Sequence, residues 1–252
     1  MSFLLPRRSA EQIDWLFIIH FDNIMAFIKK LIAGNKGFVV FMVGMILVRS
    51  AIADWYTVPS GSMYPNLMIG DRIVADRIAY DLKVPFTDII VTRIADPKRG
   101  DIVTFSSPED GLRLVKRLIG LPGDTVEMRD EVLYINGQPA SYADANGEIR
   151  HHVTPDYAGR QVVLNEQILG SQRPIMLMPE RGDALRTFGP IQVPPGEYLM
   201  LGDSRDNSRD SRYIGFVKRE LITGRVGRVA FSLDTERYFK PRFERFGASL
   251  VN

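Results

Sequence analysis

Three polar segments of the sequence contain the side chains that could do chemistry, and the first is a serine-bearing turn. Residues 59–65 read Pro-Ser-Gly-Ser-Met-Tyr-Pro. Glycine and proline on both sides of Ser62 favour a tight turn that presents its hydroxyl outward. A serine hydroxyl becomes a nucleophile when a neighbouring base accepts its proton. The same composition is also typical of an ordinary turn, so this segment alone does not indicate an active site.

The second segment supplies a candidate base. Residues 112–124 read Leu-Arg-Leu-Val-Lys-Arg-Leu-Ile-Gly-Leu-Pro-Gly-Asp. Alternate side chains share a face in a strand, so Lys116 lies between Leu114 and Leu118. Burial there would disfavour the ammonium, lower the pKa of Lys116 and leave a neutral amine that accepts a proton. Arg117 lies on the opposite face, so the alternation leaves open which of the two faces is buried.

The third segment is a charged loop. Residues 202–217 read Gly-Asp-Ser-Arg-Asp-Asn-Ser-Arg-Asp-Ser-Arg-Tyr-Ile-Gly-Phe-Val. Alternating charge of this kind is typical of a solvated loop. The same side chains could also supply hydrogen-bond donors and acceptors that orient a nearby base.

Composition narrows the chemistry further. The chain of 252 residues contains no cysteine and three histidines, His20, His151 and His152. It therefore has no disulfide framework, no thiolate zinc site and no cysteine nucleophile, and little material for a histidine triad or metal site. With 32 Lys and Arg against 30 Asp and Glu, the net charge of +2 gives no argument for nucleic acid binding.

An apolar stretch precedes these segments. Residues 37–48 are uncharged, which is fewer than the ~20 residues that cross a hydrocarbon core. The stretch continues past Arg49 to Ala53, and an arginine near one end can reach the interface. We interpret residues 37–54 as a transmembrane anchor. A buried core helix and the apolar region of a signal peptide are the alternatives.

The residues before this anchor allow two interpretations. The apolar segment 15–28 is interrupted by His20, Asp22 and Asn23. It fits an interfacial amphipathic helix or a weak first membrane helix, so one or two membrane crossings stay open. In both cases residues 1–36 form a cytoplasmic or interfacial segment, because basic residues favour the cytoplasmic side, and the chain after residue 54 lies outside.

From Trp55 onward the pattern is that of a soluble, mostly β domain. Short runs rich in Val, Ile, Leu, Phe and Tyr are separated by Gly, Pro, Asp and Asn. The run 132–135, followed by Asn136 and Gly137, predicts a hairpin with its turn. Residues from about 137 to 195 are polar and poorly periodic, and we interpret them as a loop-rich insertion. The other predicted strands are at 72–75, 102–105, 112–121, 125–128, 198–201 and 224–233.

Four motifs, taken in their order along the chain, resemble those of the bacterial type I signal peptidases (leader peptidases), a family of Ser/Lys dyad serine proteases. They are residues 59–65, 99–105 (Arg-Gly-Asp-Ile-Val-Thr-Phe), 115–124 and 202–212. The resemblance implies a signal-peptidase-like β-fold catalytic domain, residues 55–252, outside the bacterial cytoplasmic (inner) membrane, on its periplasmic side. Such an enzyme removes signal peptides from exported preproteins after a small-x-small sequence.

The resemblance also implies a role for each matching residue. Ser62 would be the nucleophile and Lys116 the general base, and Ser60 would join the Ser62 backbone N–H in stabilising the oxyanion. The residues expected to orient or support the base are Ser208, Asp210, Arg212, Asp203 and Arg117. The residues expected to line the substrate site are Val58, Pro59, Met63, Leu67, Leu114 and Val115. Ser204 stands where the family commonly has asparagine. The dyad implies no metal or cofactor.

Two alternatives of other classes remain. One is a membrane-anchored, β-rich binding or scaffold protein whose dyad does not function. The other is a self-cleaving Ser/Lys protease of the repressor type, which carries a DNA-binding helical domain that residues 1–54 do not resemble. The partners implied by the first interpretation are signal peptides and the lipid bilayer, with no nucleic acid.

Two further segments could contact the bilayer. Residues 237–246 interleave basic residues with aromatics near the end of the chain, and residues 82–86 place apolar side chains in a predicted loop. Aromatic side chains favour the headgroup region and basic ones favour anionic lipid. The alternative is that these aromatics fill the core of the domain. The sequence leaves both interpretations open.

Overall fold

The computed structural model describes residues 33–51, 53–145 and 161–250. Its first element is helix α1, Lys36–Ala51, which coincides with most of the predicted anchor at 37–54. The helix has 16 residues, and in the described ranges no helix is long and apolar enough to cross a membrane. The transmembrane anchor therefore stays a prediction. The weak first helix predicted at 15–28 lies outside the described residues.

Beyond this helix the described chain is mostly β, as the sequence predicts. The first nine strands are β1 Ala53–Thr57, β2 Asp71–Asp76, β3 Asp81–Lys83, β4 Ile90–Arg93, β5 Ile102–Ser106, β6 Arg113–Gly120, β7 Thr125–Arg129, β8 Val132–Ile135 and β9 Gln138–Pro139. The next eight are β10 Ser141–Asp144, β11 Val162–Ile168, β12 Ser171–Leu177, β13 Phe188–Gln192, β14 Glu197–Leu201, β15 Val217–Lys218, β16 Ile222–Asp234 and β17 Lys240–Pro241. A one-turn helix, α2 Ser211–Ile214, lies between β14 and β15.

In the described ranges these strands form four sheets, and neighbouring strands are antiparallel. The largest sheet has the order β1-β2-β16-β5-β6-β14-β15, with β17 paired to β16. A four-stranded sheet has the order β13-β7-β8-β9, a three-stranded sheet the order β10-β11-β12, and β3 and β4 form a hairpin. Strand β6, which carries Lys116, pairs with β5 on one side and β14 on the other, so both neighbours fix its position.

The strands predicted from apolar runs are present. The predicted strand at 112–121 extends one residue beyond β6 at each end, and the others coincide with or lie within β2, β5, β7, β8, β14 and β16. The predicted hairpin is present too, since β8 pairs with β9 across Asn136 and Gly137. The φ angles of these two residues are 54° and 78°, the left-handed values that a type I′ hairpin turn requires.

The expectation that the insertion at 137–195 is loop-rich is wrong for the part that the structure describes. Strands β9 to β13 lie within this range, and β11 pairs with β12 from Val162 to Ile168. The sequence pattern missed them because buried positions on these strands hold Glu166 and Arg173. A charged side chain at an inward position breaks the apolar alternation that indicates a half-buried strand.

A hydrophobic cluster fixes the chain that follows the serine. Met63 and Leu67 are 1 % and 0 % exposed and pack with Ile73 and Val226. Burial of each such side chain contributes roughly 1.5–3 kcal/mol to folding. The turn that carries Ser62 is therefore held by the core on its C-terminal side.

The C-terminal tail is held by two arginines. Arg245 is 7 % exposed and pairs with Asp71 of β2. Arg242 pairs with Asp234 at 3.2 Å. Both arginines thus make contacts within the domain, and the sequence could not reveal the pair of Arg245 with Asp71 because these residues are distant in the chain. A contact of the tail with lipid stays a prediction. The exposed aromatic side chains of the tail are Tyr238, Phe239, Phe243 and Phe246.

The other segment considered for lipid contact is not simply a loop. Residues 82–86 begin in β3 and continue into the turn of the β3–β4 hairpin. Leu82 and Phe86 are exposed, whereas Lys83 is buried and donates to the backbone oxygen of Ile222 at 2.9 Å. The lysine thereby fastens this hairpin to β16.

Candidate active site

Ser62 lies in a tight turn whose packing requires glycine at the preceding position. The segment Gly61–Met63 forms one turn of 3₁₀ helix, and Ser60 precedes it in extended conformation. A Cβ on Gly61 would lie 2.5 Å from the ring of Tyr64, closer than such atoms approach. Ser62 itself is 9 % exposed, at the border between core and solvent.

Lys116 reaches this serine from β6. Its Nζ donates a hydrogen bond to Ser62 Oγ at 2.6 Å. The residue is 4 % exposed, so the face of β6 that carries Lys116 is buried, which strand alternation could not decide. Burial lowers the pKa of Lys116 from its ordinary value to about 8, although the negative charges of Asp210 and Asp203 oppose this shift. A neutral amine beside a serine hydroxyl is therefore accessible near neutral pH.

The other face of β6 is buried too. Arg117 is 6 % exposed, and its Nε and Nη2 donate to the two carboxylate oxygens of Asp203, each at 2.8 Å. Its Nη1 donates to the backbone oxygen of Gly100 at 2.8 Å. A bidentate pair of this kind fixes both position and orientation. It joins β6 to residues 202–212, which we name the active-site loop.

A second bidentate pair lies within the active-site loop. Arg212 Nε and Nη2 donate to the carboxylate of Asp210, each at 2.8 Å, and both side chains are almost fully buried. Asp210 also accepts from the backbone N–H of Gly202 at 2.9 Å and caps helix α2. The pair therefore ties the two ends of the loop together.

Gly202 brings the active-site loop against the serine turn. A Cβ there would lie 2.2 Å from Ser208 Oγ and 2.5 Å from the backbone oxygen of Ser62, so no larger residue fits without movement. The backbone N–H of Ser204 donates to the same Ser62 oxygen at 3.1 Å. Ser204, where the sequence departs from the family pattern, thus contacts the turn through its backbone.

Ser208 lies in the site but does not make the expected hydrogen bond to Lys116. Its Oγ is buried and has no hydrogen-bond partner among the described residues. This oxygen lies against Gly202. Ser60, expected at the oxyanion, is exposed and makes no capping hydrogen bond, so its hydroxyl is accessible to a substrate.

The residues expected to line the substrate site fall into two groups. Pro59 is exposed, and Leu114 and Val115 are partly exposed, so a bound peptide can reach them. The others are buried in the core, and their place in the substrate site stays a prediction. These buried residues are Val58, Met63 and Leu67.

The structure adds a residue that the sequence did not single out. Asn66 Nδ2 donates to Asp203 Oδ2 at 2.7 Å and to the backbone oxygen of Pro174 at 2.8 Å. It links the serine segment to the active-site loop and to β12. No local pattern around Asn66 could have indicated this. Within the described part of the chain, no group of three or more His, Cys, Asp or Glu residues could hold a metal ion.

Comparisons with known proteins address the family of the chain. Residues 28–231 match the family model described as signal peptidase, peptidase S26. Signal peptidase I of Pseudomonas fluorescens is 32 % identical over 230 residues, which cover 86 % of this chain and 78 % of that protein. Signal peptidase I T of Bacillus subtilis (strain 168) is 32 % identical over 207 residues, 82 % of this chain and 88 % of that protein. A crystal structure of a signal peptidase I from Enterococcus faecalis V583 is 38 % identical and covers 52 % of this chain and 97 % of that chain, with a TM-score of 0.33.

The matched region contains the serine turn, the strand that carries Lys116 and the active-site loop. The four motifs that suggested the resemblance thus lie inside one continuous match to a family model. This match favours the signal peptidase family over the alternative of a self-cleaving repressor-type protease. The chain belongs to the signal peptidase family, peptidase S26.

Proposed function

We propose that this protein is a membrane-bound serine endopeptidase that removes N-terminal signal peptides from exported preproteins. Ser62 is the nucleophile and neutral Lys116 the general base. The observation that carries the proposal is the 2.6 Å contact between Lys116 Nζ and Ser62 Oγ, made by a lysine whose burial lowers its pKa. The substrate class is supported by the relatives named signal peptidase I.

The chemistry is acyl transfer in two steps. Ser62 Oγ attacks the scissile carbonyl carbon while Lys116 Nζ accepts the hydroxyl proton. The oxyanion is stabilised by the Ser62 backbone N–H and the Ser60 hydroxyl. The lysine ammonium then donates its proton to the leaving amine as the C–N bond breaks, which releases the mature protein and leaves an ester on Ser62. In the second step Lys116 takes a proton from the water that hydrolyses this ester and returns it to Ser62 Oγ.

Substrate binding follows from the same geometry. An extended peptide that adds a strand to the sheet offers main-chain hydrogen bonds, and its alternate side chains point to one side. Of the residues expected to line the substrate site, Pro59, Leu114 and Val115 are accessible. We expect two shallow pockets there that admit small side chains, which gives cleavage after a small-x-small sequence.

The site's location is part of the proposal. The anchor predicted at 37–54, of which residues 53 and 54 belong to β1, holds the chain in the bacterial cytoplasmic membrane, and the catalytic domain lies on the periplasmic side. A scaffold protein with a non-functional dyad is the alternative. Burial of an ammonium costs free energy. A binding or scaffold role gives no reason to bury a lysine against a serine hydroxyl at that cost, whereas a general base does.

The test is cleavage of a purified preprotein by the wild-type chain, Ser62→Ala, Lys116→Ala and Lys116→Arg. We expect each variant to lose at least ~10³-fold in kcat, because arginine keeps the charge but cannot deprotonate. Lys218→Arg, at an exposed lysine, is the matched control and should cleave normally. Near-normal turnover by Lys116→Arg would remove the general-base role, and cleavage by none of the chains would favour the scaffold.

A further inference from the structure

A buried ionic cluster in the three-stranded sheet reaches into the active-site loop. Glu166 of β11 is fully buried, and its carboxylate accepts from Arg205 Nη1 at 2.6 Å and Nη2 at 2.7 Å. Arg173 of β12 donates to the same carboxylate. The hydroxyl of Tyr142 on β10 donates to it at 3.0 Å. The central strand β11 therefore supplies the carboxylate, and the two strands beside it, β10 and β12, each supply a donor to it.

Arg205 is part of the active-site loop. It begins the 3₁₀ turn Arg205–Asn207, and Ser208 is the residue that ends this turn. Two backbone groups of the region around β12 hold the same part of the loop. Met176 N–H donates to the backbone oxygen of Asp203 at 2.9 Å, and Met178 N–H donates to the carboxylate of Asp206 at 2.7 Å. The three-stranded sheet and the residue that follows it thus hydrogen-bond to the loop at Asp203, Arg205 and Asp206.

A third connection runs to the serine segment. Asn66 donates both to the backbone oxygen of Pro174, on β12, and to Asp203, in the active-site loop. Asn66 lies close to Ser62 in the sequence, in the segment that Met63 and Leu67 bury in the core. The three-stranded sheet therefore contacts both segments that surround the dyad.

Stability alone does not account for a cluster of this composition. It places two arginines on one carboxylate, and the Nε atoms of Arg173 and Arg205 have no hydrogen-bond partner among the described residues. Apolar residues of similar volume are often as stabilising as a buried ionic triad, or more so. What apolar packing lacks is direction, whereas the paired hydrogen bonds between Glu166 and Arg205 fix one orientation of the loop.

We propose that Glu166 is a positioning residue that holds the active-site loop, through Arg205, in the arrangement that the reaction needs. The inference rests on the proposed peptidase function and gives part of the 137–195 insertion a role in it. The loop brings Asp203 and Asp210 to Lys116 and places Gly202 against Ser62. A loosened loop displaces all of these groups from the dyad at the same time. A displacement of about 1 Å can cost roughly 10²-fold in rate.

The experiment replaces Glu166 by glutamine in the full chain, which keeps the shape and removes the charge. With a peptide substrate we expect kcat to fall at least roughly tenfold and KM to change little, because the substrate-facing residues are untouched. We also expect the pKa of Lys116 to rise. A looser loop admits water and so relieves burial, the largest cause of the low value, and this outweighs the weaker opposite effect of moving Asp203 and Asp210 away. NMR of ¹³C-labelled lysine measures that pKa whether or not the chain cleaves anything.

The matched control is Glu127→Gln. Glu127 on β7 is also largely buried and accepts two hydrogen bonds from one arginine, Arg129 Nε at 2.9 Å and Nη2 at 2.8 Å, but this pair lies in the four-stranded sheet. It should keep the wild-type kcat and the wild-type Lys116 pKa. If the Glu166→Gln chain melts too low for assay, the triple variant Glu166→Leu, Arg173→Met, Arg205→Met replaces the cluster with apolar packing and should fold with the same loss of kcat.

A folded Glu166→Gln or triple variant with the wild-type kcat and an unshifted Lys116 pKa would overturn the inference. Failure of the proposed function has a different result, because the wild-type chain itself would not cleave the peptide. The lysine NMR still shows in that case whether Glu166 holds the active-site loop against Lys116, so a failure of the inference and a failure of the proposed function give different results.

Discussion

Two buried lysines have a pKa near neutrality, and their partners distinguish them. Burial lowers the pKa of Lys83 to about 8, the same value that it gives Lys116. Lys83 Nζ faces the backbone oxygens of Ile222 and Thr223, which only accept hydrogen bonds and so favour the ammonium. Lys116 Nζ faces a hydroxyl that has a proton to give. The chemistry of a base is therefore available to Lys116 and not to Lys83.

This difference leads to a prediction at the scale of the residue. We expect kcat/KM to rise with pH through a single midpoint near 8. Below the pKa of Lys116 its side chain is an ammonium and cannot accept the serine proton, so the rate falls about tenfold per pH unit. Above the pKa the amine is neutral and the rate levels off. Initial rates on a peptide substrate at closely spaced pH values measure the midpoint.

The control is Lys83→Met, which removes the second lysine that titrates in this range. We expect its profile to keep the wild-type midpoint. A midpoint that moves with Lys83→Met, or one near the ordinary lysine value of 10.5, would contradict the assignment of the proton acceptor.

At the scale of the element, the active-site loop is fitted to the serine turn at Gly202. In Gly202→Ala the new Cβ would lie 2.2 Å from Ser208 Oγ and 2.5 Å from the Ser62 backbone oxygen. The loop must then move away from the turn, so we expect kcat to drop by roughly 10²-fold and stability by about 1–3 kcal/mol. Turnover per folded molecule and a thermal melt measure the two effects.

Gly182→Ala is the control for this change, because a Cβ at Gly182 has nothing within 4 Å. It should behave as wild type in both measurements. A Gly202→Ala chain that keeps its full kcat would show that the loop tolerates displacement from Ser62. That result would also weaken the positioning role of Glu166.

The sequence predicted the elements whose causes are local. Strand β8 and its turn follow from a short apolar run and an Asn-Gly pair, and both are present. Strands β11 and β12 were missed, because Glu166 and Arg173 occupy buried positions, where they pair with each other, and Glu166 pairs also with the distant Arg205. A local pattern cannot contain a partner that lies far away in the chain.

The site shows the same division. The motifs indicated Ser62 as the nucleophile and Lys116 as the base. Their contact depends on the pairing of β5 with β6 and on the fold of the serine turn, which the motifs do not contain. Strand alternation could not decide that Lys116 is buried, since both faces of β6 are buried and Arg117 is neutralised by Asp203. A central strand is buried on both faces, but its sequence has the pattern of an amphipathic strand when one face carries a paired charge.

At the scale of the whole molecule, a row of aromatic rings links β1 to the tail. Trp55 lies 6.5 Å from Phe231, Phe231 lies 6.2 Å from Phe246, and Phe246 lies 5.3 Å from Phe243, measured between ring centroids. Trp55 and Phe243 are 52 % and 72 % exposed. Because Trp55 directly follows the predicted anchor in sequence, an anchor that spans the membrane would keep this end of the row near its surface.

The net charge of +2 gives little general attraction to anionic lipid, so a contact with the bilayer depends on such apolar and aromatic groups. We predict that Phe239→Ser with Phe243→Ser, at two exposed tail positions, slows processing of a membrane-inserted preprotein several-fold in lipid vesicles. Cleavage of a short soluble peptide by the same full-length chain should be unchanged, because neither residue belongs to the dyad or its supports. Leu112→Ser with Leu169→Ser, exposed apolar residues elsewhere, is the control and should alter neither rate. Equal effects on both substrates, or none on either, would mean that the aromatic tail has no role at the membrane.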